Sequence, residues 1–517
     1  MKSTVTRMMF VLLLFAVLFG LSACSESEEV VEKDKAVAEE PTEKFQEVTV
    51  RISDDPDFLD PHLMTASITE MMLLNLFDGL LAPDTDGTLK PAIAESYEVS
   101  DDGLTYTFKI RPDIKFHTGD PVTMDDIHYT FERLRGVNGD EALSSKFDYV
   151  ASIDSPDEQT LVITLAEPNT TFLYALTAVD SAILPKNNDG NHNEYPVGTG
   201  PFKFAKYNPG SNLILEKNEH YWKEGLPYLD KVTFAVQPDN QSALLSMKAG
   251  EVDIMDIPSH RIPEVENDFN LIYQQNNSTL LIGFNQDREP FNNVKVRQAI
   301  NYAINKEEII EAAFTGYATK LGSNMSPAMG SYYKDGLQDV YEMNIEKAKE
   351  LLAEAGYPDG FKATLSVSSH TEMYANVAQV VVEELKQIGI QLDIEMVEWG
   401  VWLDRIYKGR DFEMTAIDFT GKLSPYDILN RYVGDASNNF MNFKNAEYDE
   451  LMINVLKEND VQTQIDIYHR AQEILTEEAA AVYIADYQFI WILNPNLEGY
   501  KLYPIFFHDM SEVKYKE

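Results

Sequence analysis

The chain has 517 residues, 44% of them hydrophobic, with 26 glycines and 23 prolines; that is enough apolar material for two or three domains and excludes a disordered or fibrous chain. Its 42 Lys and Arg against 85 Asp and Glu leave a formal net charge of -43, which repels nucleic-acid phosphates and anionic lipid head groups. A single cysteine excludes an internal disulfide.

In chain order, Lys2 and Arg7 precede an apolar run from Met8 to Gly20, too short to span a bilayer comfortably and the right length for the middle of a secretory signal. Leu21-Ser22-Ala23-Cys24 follows. A large apolar residue and two small ones before the only cysteine resemble the bacterial lipobox, whose cysteine is acylated and becomes the new N-terminus. The plainer alternative is an ordinary signal peptide that happens to contain cysteine. Residues 1–23 are therefore expected to be cleaved and Cys24 to carry lipid, at roughly 0.8 kcal/mol per buried methylene. Residues 24–45, rich in Ser, Glu, Lys and Ala, hold too little apolar surface to offset ordering and are expected to be a disordered acidic tether.

Packing begins with Val48, Val50 and Ile52, whose period-two spacing predicts the first strand. "GLTYTFKIRPDIKF" (103–116) predicts strand, broken by a turn at Arg111-Pro112-Asp113. In 294–314, Val296, Ala299, Ile300, Ala303 and Ile304 form one helical stripe, and Asn305 followed by Glu308 predicts a capping box that restarts the helix. "KATLSVS" (362–368) predicts a strand. A helix with Tyr374, Val377, Ala378, Val381, Val382, Leu385 and Ile388 on one face follows and ends at Gly389. In 390–398, Ile390, Leu392, Ile394 and Met396 alternate on one side. That is a βαβ unit with parallel strands, and the fold class is α/β.

Motifs for chemistry fail on inspection. "TGKLS" (420–424) lacks the glycine five positions before Gly421, where Ala416 stands, and the hydroxyl residue after the lysine, where Leu423 stands, so it is no phosphate loop. "VGTGPF" (197–202) has two glycines, but Pro201 removes an amide and no Lys-Ser/Thr follows; it reads as a structural turn. The nine histidines form no HExxH and no pair at ligand spacing, and no GxSxG occurs. With 85 acids, a carboxylate pair at any one spacing carries no information. Neither enzyme chemistry, metal site nor cofactor is indicated.

Four long blocks, 97–134, 197–234, 247–254 and 284–304, in that order, resemble the bacterial extracellular solute-binding proteins of family 5, the peptide- and nickel-type receptors of ABC importers. The resemblance spans about residues 46–510. It implies a monomeric, two-lobed clamp that closes on a small, peptide-like solute and delivers it to a membrane permease driven by cytoplasmic ATPases, with a subdomain inserted in the first lobe. On that pattern the first lobe is expected at 46–280 plus 490–517, the insert at 87–185, and the second lobe at 281–489. The second reading is a surface peptide sensor or chaperone not coupled to import, and an enzyme is a third. Closure is a population shift: ligand stabilises the closed state only by its differential contacts there.

Candidate ligand contacts follow from strand ends and from what the resemblance implies. Trp399 in "VEWGVW" corresponds to a family tryptophan beside the cleft and Phe419 to another aromatic, with core packing as the alternative for each. Trp402 and Trp491 are expected to be structural, and Trp222 matches a family position to which no ligand role attaches. Met64 and Thr65, in the loop after the first strand, are expected to face the cleft or to form a plain surface turn. Dipeptide-binding relatives take the ligand amine with an aspartate in a W-T-G-D-like run, where this chain reads Phe419-Thr420-Gly421-Lys422, and hold the carboxylate with an arginine where it has Ser368-Ser369-His370. A buried amine facing Lys422 is repelled, so the ligand is expected to offer Lys422 a carboxylate or neutral acceptor, and ordinary dipeptides to bind no tighter than about millimolar, roughly -4 kcal/mol. Two alternatives stand: Lys422 points to solvent, or Asp418 takes over as the acid.

Overall fold

The computed structural model describes residues 45–137, 141–177, 181–188, 191–505 and 507–516. Cys24, the signal-like segment and the tether up to residue 44 lie outside the described residues. The first strand, Glu47–Ile52, buries Val48, Val50 and Ile52 and pairs in parallel with Lys231–Val236. It belongs to a twelve-stranded sheet that orders 391–397, 362–368, 414–419, 279–284, 481–493, 254–257, 47–52, 231–236, 212–217 and 202–208, with 270–275 and 318–320 also paired to 481–493.

The strand Ala481–Leu493 is shared by both lobes. Its first part runs antiparallel to Thr279–Phe284, with Ile282 opposite Val482, and its last part to Ile254–Ile257 and Asn270–Gln275, with Ile257 and Tyr273 both opposite Ile490. Either end is buried, and only Tyr487, Gln488 and Phe489 between them are part-exposed. The apolar side chains divide in the same way: Leu281, Ile282, Val381, Leu385 and Met414 pack in one cluster, Val50, Phe77, Phe234 and Trp491 in another. The chain passes between lobes a second time at Asn276–Ser278. The passages are clamped together, because the fully buried Asp486 carboxylate accepts from the Ser278 N–H (3.0 Å) and from the Ser326 hydroxyl (2.5 Å).

In the first lobe a separate antiparallel sheet orders 94–99, 105–110, 160–165 and 150–157. The helix Met124–Arg135 lays Ile127, Phe131 and Leu134 on it, in one cluster with Phe108 and Leu161. Thr123 and Asp126 cap that helix reciprocally. The glycines of "VGTGPF" serve close packing: a Cβ on Gly198 would fall 2.2 Å from the Leu76 carbonyl, and the Gly200 N–H donates to that same oxygen at 3.0 Å.

In the second lobe Lys362–Ser368 and Gln391–Val397 are parallel and joined by the helix Glu372–Lys386, a βαβ unit. Two details depart from the sequence reading. Ile394 and Met396 are exposed: their strand is the sheet's outermost, and among the described residues none covers that stretch of its face. The capping box is completed differently: Asn305 caps through its side chain on the Glu308 N–H, but its own N–H is taken by the Glu384 carboxylate from the neighbouring helix at 3.0 Å.

Candidate functional site

Strands Lys362–Ser368, Gln391–Val397 and Met414–Phe419 run parallel, so their carboxyl ends gather at one rim of the second lobe, the place where open α/β sheets receive ligands. His370, Trp399 and Asp418 follow or occupy those ends. Facing them is the loop after the first-lobe strand, shaped by Asp57. One Asp57 oxygen accepts from the Thr65 N–H (2.7 Å) and hydroxyl (2.8 Å), the other from the Thr69 hydroxyl (2.6 Å). Slight burial raises its pKa, but these hydrogen bonds prevail and hold it below the usual value.

Between the lobes lies a cavity of about 900 Å³. Its lining includes Thr65 and Asp256 from the first lobe, His370, Trp399, Asp418 and Thr420 from the second, and Tyr487, Gln488 and Phe489 from the shared strand. Phe314, Tyr317 and Tyr374 add aromatic wall. Trp399 stacks on the buried Trp402, ring centroids 5.3 Å apart, and the Trp402 indole N–H is anchored on the Thr415 hydroxyl at 3.0 Å. The His370 ring sits 5.4 Å from Trp399. Glu398 caps the turn beneath, accepting from the Gly400 N–H at 2.9 Å.

Asp418 is the electrostatic centre of this wall. The Tyr374 hydroxyl donates to one of its oxygens and the Tyr487 hydroxyl to the other at 3.1 Å. Desolvation raises its pKa and outweighs the two phenols, which lower it. Among the described lining residues there is no Lys or Arg; of the three other aspartates in the lining, Asp256 pairs with Arg51 at 2.8 Å, Asp55 accepts from the Tyr207 hydroxyl at 2.9 Å and Asp54 is exposed. A carboxylate so placed is an acceptor for a cationic or N–H-bearing group that arrives with the ligand.

Lys422 stands elsewhere. It is exposed, with Met64, Thr65, Glu70, Lys146 and Asp427 around an adjoining compartment of about 220 Å³. The loop that carries it is fixed from below: Asn277, left-handed at φ 54°, donates its side-chain N–H to the Lys422 carbonyl at 2.9 Å. Gly421 crosses Asn277 so closely that a Cβ would lie 2.2 Å from its carbonyl oxygen, which accounts for the glycine of "TGKLS" without any phosphate.

Of the residues singled out in the sequence, Thr65, His370, Trp399, Asp418 and Thr420 line the large cavity and Met64 and Lys422 the small one. Two are not brought in. The Phe419 ring lies under the Arg431 guanidinium at 3.5 Å and edge-on to Phe440, and exposed Ser369 is tied through its N–H to the Val397 carbonyl at 2.8 Å. Trp222, by contrast, packs under Arg111 at 4.7 Å and donates to Asp78. Sequence reading missed Phe314, Tyr317, Tyr487 and Phe489, and took Tyr374 as core packing alone.

The sequence profile described as bacterial extracellular solute-binding proteins, family 5 middle, matches residues 88–440. Heme-binding protein A of Haemophilus influenzae is 31% identical over 80% of this chain and 81% of its own length. The oligopeptide-binding protein AppA of Bacillus subtilis is 29% identical over 98% of this chain and 97% of its own. Among solved structures, the ABC transporter-associated periplasmic binding protein DppA of Helicobacter pylori, in complex with the peptide STSA, superposes with a TM-score of 0.77 at 28% identity, over 91% of this chain and 98% of that one. Such proteins bind solutes for transport and are not enzymes, and they work outside the cytoplasm. The chain belongs to family 5 of the bacterial extracellular solute-binding proteins.

Proposed function

We propose that the chain is the lipid-anchored binding protein of an ABC importer, tethered through Cys24, which captures a peptide-like solute by closure of its lobes and presents it to a permease. The named ligands of its relatives, an oligopeptide-binding protein and a receptor solved with a tetrapeptide, support the solute class. The observation that carries the reading is Asp418: a carboxylate in the wall of an interlobe cavity, hydrogen-bonded by two phenols, with no lysine or arginine among the described lining residues. We assign it the ligand's free amine. Trp399 and His370 then form a flat wall beside it, Thr65 and Thr420 donate or accept along the ligand, and Lys422 meets a carboxylate or carbonyl further on. A buried ammonium needs such a partner, since an unpaired buried charge costs several kcal/mol or more.

Calorimetry on the full chain with matched free and N-acetylated peptides tests this. Free-amine peptides are expected to bind and their acetylated forms to lose at least tenfold, with Asp418→Asn removing the difference. Equal affinity for both forms overturns the assignment. Submicromolar binding of an unmodified dipeptide, lost on acetylation, removes the expectation that dipeptides bind only at millimolar levels and leaves Asp418 as the amine's partner.

A further inference from the structure

Behind the wall of the cavity the second lobe holds a cation without an acid. Side chains alternate along Met414–Phe419, so Phe419 turns to the face opposite Asp418. Ile417 pairs with Leu281 and Leu281 with Tyr483, which puts the Tyr483 ring on the same face as Phe419. The short turn Asn430–Tyr432 lays Arg431 and Tyr432 over that face. The guanidinium sits 3.5 Å above the Phe419 ring, and the Tyr432 and Tyr483 ring centroids are 6.2 Å apart.

Every other described arginine donates to a carbonyl, carboxylate or side-chain amide oxygen. Part-buried Arg431 donates to none among the described residues, and its Nε–H is fully buried. Burial pulls its pKa below the usual arginine value; the groups that push it back are the phenols of Tyr432, Tyr407, Tyr448 and Tyr483, with no carboxylate among them. In a chain with 85 acids against 42 bases, that is not for want of carboxylates. Tyr448 is engaged, donating to the Leu429 carbonyl at 2.7 Å. The Tyr432 and Tyr483 hydroxyls are buried and have no hydrogen-bond partner among the described residues.

The Phe419 face attracts the cation, but a π face leaves the in-plane N–H donors of a guanidinium without acceptors. Buried donors in that state are costly, and a charged one more so. One guanidinium and two phenols, with no acid beside them, suit a small anion. A halide is a single atom that accepts N–H and O–H from any direction, and the guanidinium is weakly hydrated and so gives up little water to it.

We propose that the second lobe binds a monovalent anion, chloride in ordinary media, between the Arg431 guanidinium and the hydroxyls of Tyr432 and Tyr483. The anion is a fixed part of the lobe and not its cargo. It steadies Phe419 on one face of a strand whose next residues, Asp418 and Thr420, line the cavity. This site does not depend on the peptide reading above.

Thermal unfolding of the full chain tests it, at constant ionic strength with sodium gluconate exchanged for chloride or bromide. The wild-type midpoint is expected to rise by several degrees and to saturate with either halide, as for a ligand that only the folded state binds. Arg431→Met, which keeps an apolar stem over Phe419, is expected to show no response. Tyr432→Phe and Tyr483→Phe keep both rings and are expected to raise the half-saturating halide concentration about threefold or more, the loss of one hydrogen bond; they carry the test if the methionine variant does not fold. Crystals grown in bromide are expected to show its anomalous peak in hydrogen-bonding contact with Arg431 Nε. Equal midpoints in gluconate, chloride and bromide overturn the proposal, as does a halide response that persists unchanged in every folded variant. Weaker peptide binding by Arg431→Met, with no halide response in wild type, also overturns it and assigns the guanidinium to a carboxylate of the cargo.

Discussion

Thr170 and Leu456, far apart in sequence and on different lobes, are joined by a backbone hydrogen bond of 3.0 Å, backed by the Thr170 hydroxyl on Val455 and by Asn459 donating to the Asp101 carbonyl at 3.2 Å. None of these groups is part of either strand passage. Opening of the lobes is expected to break them, and their free energy then adds to that of the ligand. Thr170→Val, which removes one bond of about 1 kcal/mol, is expected to raise the Kd of a bound peptide roughly fivefold through faster release. Combined with Asn459→Ala it is expected to enlarge the radius of gyration of the unliganded protein in small-angle scattering. An unchanged Kd in the double variant shows that the contacts do not bias closure.

Gly421 predicts a local steric failure. Its Cβ, if present, has the Asn277 carbonyl oxygen at 2.2 Å and the Asn277 Cβ at 2.6 Å, and both neighbours are held by the passage between lobes. Gly421→Ala is expected to cost about 1–3 kcal/mol of unfolding free energy in urea titration and to weaken ligand binding by displacing Thr420 and Lys422. Wild-type stability in this variant means that the loop has another way to run.

Glu384 sets a pH dependence whose sign is fixed. It is buried, with one oxygen on the Asn305 N–H and the other without a hydrogen-bond partner among the described residues, and burial lifts its pKa from the usual 4.5 to about 8. The folded chain keeps this proton and the unfolded chain releases it, so stability from this group is fully present at low pH and is lost as pH rises from about 4.5 to about 8. The whole span is on the order of 4 kcal/mol. Glu384→Gln keeps the acceptor for Asn305 and removes the titration. Its thermal midpoint is expected to match wild type near pH 4.5 and exceed it near pH 8; parallel curves across that range assign the pH dependence to other groups.

Cys24 is tested by labelling. Cells producing the wild-type chain are expected to incorporate radioactive palmitate into it, and Cys24→Ser to leave a folded protein without label. Equal labelling of the variant would sink the anchor.

What the sequence made legible was periodic. Strand 47–52 and the βαβ unit of 362–397 stand where alternation and helical spacing indicate, because burial on one face imposes those periods. Periodicity misjudged Ile394 and Met396, since alternation says which residues share a face and not whether that face is covered. At the site, Trp399 was accessible through its strand end, and Asp418 only as an alternative to the acid that dipeptide-binding relatives carry. Phe314, Tyr317, Tyr487 and Phe489 were not: they come from two distant stretches that meet only where the shared strand passes between lobes. Tyr374 shows the remaining limit. It sits on the apolar stripe of its helix, 4% exposed, yet its hydroxyl reaches Asp418; a hydrophobic pattern has no way to mark where a phenol's far end emerges.

The shared strand also restricts how this protein can change. Side chains alternate along Ala481–Leu493, and each half is locked to its own partners, so losing or gaining one residue between Ala485 and Ile490 forces one half to slip and turns its inward side chains outward. Substitutions at Tyr487, Gln488 and Phe489 are free of that penalty and alter the floor of the cavity directly. New specificities are therefore open to exchange of residues in this stretch and closed to changes in its length, and a lobe cut out for separate expression would leave behind half of a strand that the other lobe needs.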